Sequence, residues 1–153
     1  MRSAEDIMRL YGSTLYRTAL NLTGHPEDAE DMVQETMIRW FTKRPDFESD
    51  EHEKAWLLRV IINLSINLLN SAPRRKSCEL LDIYPAEEPE EESLIAEVMR
   101  LPEDQRAVIH LYYYEGYSVK EVAEILNKNE NTVRSLMHRA RKRLKGMLEE
   151  ETV

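Results

Sequence analysis

The sequence predicts an all-α protein of two small helical domains joined by an extended acidic linker. Three observations predict it. Apolar residues recur at three- and four-residue spacing through most of the chain. A stretch rich in proline and glutamate interrupts that spacing. Near the C-terminus a capped short helix, a tight turn and a basic helix follow one another. The expected boundaries are 1–72 for the first domain, 73–93 for the linker and 94–153 for the second domain.

The first domain reads as three helices. Ile7, Leu10, Tyr11, Leu15, Ala19 and Leu22 form the apolar stripe of the first, which Gly24 ends. Pro26 suits the first turn of the second helix, and Glu27 and Asp28 favour its positive end. Ala29, Met32, Val33, Thr36, Met37 and Trp40 make its inner face, while Asp31, Gln34 and Glu35 point outward with Ile38 and Arg39 continuing the surface. The loop TKRPDFESDEHE follows, and a third helix is expected from about Lys54 to Asn70. Leu57, Ile61, Leu64 and Leu68 face inward on it, and Trp56 is assigned to the core. Its opposite side carries Arg59, Asn63, Asn67 and Asn70. Three asparagines on one stripe lower helix propensity, and a purely structural surface would use Glu, Lys or Gln. Their donors and acceptors suit bases and backbone, so the stripe is a nucleic-acid candidate.

Residues 73 to 93 should be extended. Pro73, Pro85 and Pro89 remove helix hydrogen bonds, and the acids between Glu87 and Glu92 repel one another.

The second domain holds the most informative motif, YSVKEVAEILNKNENTVRSLMHRARKRLK from Tyr117. Ser118 and Glu121 form a capping box that starts a helix, with Val122, Ala123, Ile125 and Leu126 as its apolar face. Asn127-Lys128-Asn129 breaks the pattern, asparagine being the non-glycine residue that best tolerates a left-handed turn. Asn129 then caps a second helix from about Glu130. Val133, Met137, Ala140, Leu144 and Leu148 lie on its inner side; Asn131, Arg134, Ser135, His138 and Lys142 lie on the other. One buried face and one face of donors shape this helix for a DNA major groove.

Composition narrows the function classes. The apolar run around Val60 to Ile62 is far too short to span a bilayer, and the segment MRSAEDIMRLYG lacks an apolar signal core. A single cysteine, Cys78, excludes an internal disulfide and a multi-cysteine zinc site, so a reduced, cytoplasmic protein is expected. Net charge is −8, unevenly divided. Residues 1–72 carry 8 basic against 12 acidic side chains, residues 73–93 carry 3 against 7, and residues 94–153 carry 10 against 10. Lys128, Arg134, Arg139, Arg141, Lys142, Arg143 and Lys145 have only Glu130 as a nearby acid in sequence. Local potential attracts phosphate whatever the global sign. The acidic surplus elsewhere predicts weak non-specific DNA binding by the free protein, and a basic protein partner. A nuclease built on Glu27, Asp28, Glu30, Asp31 and Glu35 is rejected, because these carboxylates lie along a solvated helix with no histidine partner. No catalytic residue, metal, cofactor or small-molecule substrate is expected. A stand-alone helix-turn-helix regulator is the alternative function, but the first domain shows neither a βαβ receiver pattern nor a heptad seam.

The segments ALNLTGHPEDAEDMVQETMIRWF, KAWLLRVIINLSINLL, LPEDQRAVIHLYYYEGYSVKEVAEIL and NTVRSLMHRARKRL together resemble a bacterial RNA polymerase sigma factor. The resemblance is to the sigma-70 family, in its compact extracytoplasmic-function (ECF) group, and runs from Leu10 to Leu148 outside the linker. It implies region 2 in the first domain and region 4 in the second, with no region 1.1 or folded region 3. It implies that Asp31, Gln34, Glu35 and Ile38 dock on the coiled coil of the polymerase largest subunit. Phe47 and His52 would belong to a pocket for a flipped −10 base, with Arg59, Asn63 and Asn67 at the edge of the melted region. Flipping has to be offset by stacking and hydrogen bonds to the exposed base, and consumes no nucleotide. Region 4 would read the −35 element through Asn131, Thr132, Arg134, Ser135, His138, Arg139 and Lys142. The implied partners are core RNA polymerase (largest-subunit coiled coil and flap), promoter DNA and an anti-sigma factor, often membrane-bound in the group. The linker would thread the active-site cleft, its acidity imitating RNA.

Four features depart from common forms of the group. Glu53 stands where an aromatic is common, Asn67 where Asp is frequent, and Ser71-Ala72-Pro73 interrupts the usual basic run before Arg74, Arg75 and Lys76. Leu136 stands where Arg is frequent; its helical position puts it on the buried side, at the loss of one phosphate contact.

Overall fold

A computed structural model of the chain describes residues 2–43, 45–71 and 97–151, with side chains described through residue 146. The chain divides into two compact units, Met1–Pro73 and Arg74–Val153, and every regular element among the described residues is helical. The expected linker, Cys78 within it, and the Leu148 side chain lie outside what is described.

The first unit is a three-helix bundle. Helix α1, Ala4–Thr23, opens on a capping box: the Asp6 N–H donates to Ser3 Oγ at 3.2 Å and the Ser3 N–H donates to Asp6 Oδ2 at 3.0 Å. Gly24 ends it at φ 75°, a left-handed conformation that glycine takes without steric cost. Helix α2, Pro26–Lys43, starts on the expected proline, and helix α3 spans Asp50–Ser71. Each helix packs on the other two. Ile7, Leu15, Ala19 and Leu22 from α1, Ala29, Val33 and Trp40 from α2, and Leu57, Leu58, Ile61 and Ile62 from α3 form the core.

Four expectations for this unit need correcting. Helix α3 begins at Asp50, not near Lys54. Ser49 Oγ accepts from the His52 N–H at 3.1 Å, so the acids read as loop instead fill a first turn where the helix dipole favours them. Leu10 is 53% exposed, because it falls about 60° outside the arc that runs from Ile7 through Leu22 to Ala19. Trp56 is half-buried, set edge-on to Phe47 with centroids 5.8 Å apart. Leu64 and Leu68 are also half-buried, while Leu58 and Ile62 take core positions beside Leu57 and Ile61.

In the second unit, α4 (Glu103–Ile109) runs into a π-helical turn, His110–Tyr114. The Glu115 N–H reaches back to the His110 carbonyl at 3.1 Å, and the Tyr117 N–H to that of Leu111 at 3.0 Å, with Gly116 at φ 76°. A buried pair fixes this widened turn: His110 Nε2 lies 3.0 Å from Glu115 Oε2, and the imidazole stacks on Tyr114. Helices α5 (Val119–Leu126) and α6 (Glu130–Glu151) follow. Leu101, Val108, Leu111, Val122, Ile125, Val133, Leu136, Met137 and Ala140 are buried between these elements. Leu136 thus joins the core, as its helical position required.

Candidate nucleic-acid interface

The turn between α5 and α6 is fixed almost wholly by local hydrogen bonds. The Glu121 N–H donates to Ser118 Oγ at 3.2 Å, and the Ser118 N–H donates to Glu121 Oε1 at 3.0 Å. Those bonds, the backbone one first, hold the Glu121 carboxyl below its ordinary range. Asn127 ends α5 at φ 55°, ψ 47°, in the left-handed region asparagine tolerates. Asn129 Oδ1 then accepts the Thr132 N–H at 2.7 Å and starts α6.

With Val133, Leu136, Met137 and Ala140 buried and Leu144 packed against the core, the opposite side of α6 faces solvent through residue 146. Asn131, Thr132, Arg134, Ser135, His138, Arg139 and Lys142 are all exposed there, as one donor-rich surface. Arg134 Nη1 donates to Asn131 Oδ1 at 3.3 Å, and the exposed guanidinium keeps a second N–H edge that this bond does not use. Such an edge matches guanine O6 and N7 bidentately.

The first unit carries two further surfaces. On α2, Asp31, Gln34 and Ile38 are exposed and Glu35 is half-buried, with Arg39 Nε 3.6 Å from Glu35 Oε1. Phe41, 59% exposed, extends the apolar part of this face beyond Ile38, which is 57% exposed. On α3, Asn63, Asn67 and Asn70 are exposed and Arg59 half-buried, at the one-turn spacing that aligns them.

A cavity of about 340 Å³ opens between the end of α2 and the start of α3, lined by Arg2, Trp40, Phe47, Asp50, Glu53 and neighbours in 45–49. Phe47 reaches it. His52 does not line it, but its ring stands edge-on to Phe47 at 5.3 Å and its Nδ1 accepts the Glu48 N–H at 3.2 Å. The Arg59, Asn63 and Asn67 side chains lie outside the lining.

Glu53 is 7% exposed. Its Oε1 pairs with Arg2 Nη1 at 2.6 Å, and its Oε2 accepts the Trp40 Nε1–H at 3.1 Å. Arg2 also pairs with Asp50 at 2.6 Å, and the guanidinium, hydrogen-bonded first by Tyr11 and then by Glu53, is held charged beyond its ordinary range. The residue replacing the common aromatic is therefore a buried strut at the back of the cavity. Sequence reading counted it among loop acids and missed Arg2 and Phe41 altogether; the exposed apolar Phe41, three residues after Ile38, was the available signal.

The fold and these surfaces define a two-unit helical protein in which one unit carries a helix-turn-helix with an exposed, donor-rich second helix and the other a polar helix stripe and a separate cavity. The family description "Sigma-70 region 2" matches residues 7–75, and "Sigma-70, region 4" matches residues 91–144. The ECF RNA polymerase sigma factor SigM of Mycobacterium tuberculosis is 32% identical over 94% of this chain and 76% of its own length. SigL of the same species is 34% identical over 92% and 85%. SigE of Mycolicibacterium smegmatis is 32% identical over 97% of this chain, which spans 62% of that relative. Among solved structures, the sigma factor RpoE of Bartonella quintana, crystallised with the anti-sigma factor NepR, matches at TM-score 0.74. It is 25% identical and covers 95% of this chain and 96% of its own. The chain belongs to the sigma-70 family of RNA polymerase sigma factors, in the ECF group.

Proposed function

We propose that this chain is an alternative sigma factor that binds core RNA polymerase, directs promoter-specific initiation by reading −35 and −10 elements, and helps melt the DNA. The observation that carries the proposal is the exposed donor face of α6, held by two local caps, in the same chain as a unit that matches region 2. In this reading residues 1–72 serve core binding and the −10 element, 73–93 serve as linker, and 94–153 serve the −35 element.

The roles follow from surface chemistry. Asp31, Gln34, Glu35 and Ile38 combine acidic and apolar groups on one face of α2, complementary to a basic, partly apolar coiled coil. Phe47 offers a stacking surface at the cavity, with His52 behind it, and Arg59, Asn63 and Asn67 offer hydrogen bonds along α3 to unpaired bases. Arg134, Ser135, His138 and Arg139 read base edges, while Asn131, Thr132 and Lys142 hold the adjoining backbone. Melting on this account exchanges duplex stacking for protein contacts, so the role is non-catalytic and works where core polymerase is, in the cytoplasm. The relative captured with NepR supports an anti-sigma factor as the regulator of this chain too.

Run-off transcription with purified core polymerase on a library of promoter fragments tests the proposal. Specific start sites appearing only when the protein is added are expected. No stimulation, together with tight sequence-specific binding by the protein alone, would replace it with a stand-alone regulator.

A further inference from the structure

The three consecutive tyrosines at the π-helical turn have no part in the roles above, yet two of them hold an arginine of the recognition helix. Arg141 Nε donates to Tyr113 Oη at 2.7 Å across 28 residues of sequence. Its guanidinium carbon lies 5.8 Å from the Tyr112 ring centroid and 5.7 Å from that of Tyr113, within cation–π range of both. The two rings brace each other edge-to-face at 4.9 Å and 78°. Among the described residues no ion pair is made by Arg141, so its charge is steered by aromatic groups and not neutralised. Tyr113 is 55% exposed.

The placement of Arg141 on α6 decides what it can reach. Seven residues separate it from Arg134, about two turns, so both side chains leave the helix within roughly 20° of the same direction and about 10 Å apart. The major groove is only about 12 Å wide. When Arg134 sits against base edges, a side chain that far along the axis meets the sugar-phosphate wall. An arginine there gains from being pre-set. A free arginine side chain carries about 2 kcal/mol of rotamer entropy, and immobilising such a side chain on binding costs about 0.5–1.5 kcal/mol. Anchoring Nε leaves the two Nη groups as the outward edge, the edge that takes a phosphate bidentately.

We propose that Tyr112 and Tyr113 are positioning residues that hold Arg141 as a preorganised DNA-phosphate clamp at the flank of the −35 contact. The inference rests on the sigma-factor reading and adds to it a contact made outside the base-reading residues. Tyr113 contributes through Arg141.

The test uses the full chain assembled with core polymerase and a labelled promoter fragment carrying both elements, with affinity measured across a range of salt. Arg141→Ala should reduce the slope of log affinity against log salt by about 0.9, the value for one lost phosphate contact. The loss should be the same on every −35 variant, because no base is read. Tyr113→Phe should keep the slope but weaken binding roughly two- to tenfold, the cost of immobilising one freed side chain. In an Arg141→Ala background the same Tyr113→Phe change should have no effect. An unchanged slope for Arg141→Ala overturns the clamp. An equal Tyr113→Phe effect in both backgrounds overturns the positioning role. If the wild-type chain shows no polymerase-dependent promoter binding, the functional reading itself fails, a result distinct from either.

Discussion

Replacing Glu53 by alanine removes the carboxylate that accepts the Trp40 indole N–H at 3.1 Å. Trp40 is 4% exposed and Glu53 is 7% exposed, so water does not readily substitute. An orphaned buried donor costs about 1–3 kcal/mol. The one lost methylene, at about 0.8 kcal/mol when buried, brings the total to roughly 2–4 kcal/mol. Arg2 keeps Asp50 as a partner and adds no further penalty to this sum. Both tryptophans, Trp40 and Trp56, lie in the first unit, so tryptophan fluorescence follows its unfolding without interference from the second. For a unit of this size the midpoint should fall by roughly 10–20 °C. Glu53→Gln should cost less, because its amide oxygen can still accept from Trp40 while its NH₂ turns toward Arg2. A fall below about 4 °C for Glu53→Ala, under 1 kcal/mol, would refute the buried strut.

The other predictions concern the second unit. Ser118→Ala should destabilise it by about 1 kcal/mol, read by circular dichroism melts. The Glu121 carboxyl is lowered from 4.5 by its bonds to Ser118, so its contribution is complete above that value and fades as pH falls through the lower folded-state value. Glu121→Gln should therefore flatten the acid limb of the stability profile, whereas Ser118→Ala, which keeps the backbone N–H that lowers the carboxyl most, should flatten it only in part. Leu136→Arg, which would restore the residue frequent in the group, should melt the unit by more than about 2 kcal/mol, since Leu136 is 4% exposed; a stable variant with stronger −35 binding would contradict its assignment to the core. Arg134→Ala should relax discrimination at one −35 base pair by about 1–3 kcal/mol, seen as start-site selection from a randomised −35 element.

The helix-turn-helix was legible in the sequence because local chemistry determines it. Ser118 bonds Glu121, Asn127 closes back on Ala123 and Asn129 bonds Thr132, each within four residues of sequence. The buried face of α6 follows from helical period alone, Leu136 included. What escaped was long-range or unusually local. Glu53 looks like one more loop acid until Arg2, 51 positions away, and Trp40 close around it. The start of α3 was masked because Ser49 pairs with His52, not with the Glu or Gln of a common capping box. The π-helical turn has no apolar period to betray it; Gly116 and the buried His110–Glu115 pair set it. The Tyr113–Arg141 contact depends on that turn and was equally hidden.

The central claim is that two separate DNA-reading surfaces in one chain act only through core polymerase. Footprinting one promoter with the chain alone and with core polymerase added tests it most directly. Protection spanning both −35 and −10 elements is expected only when core polymerase is present. Protection of both elements by the chain alone would contradict the claim.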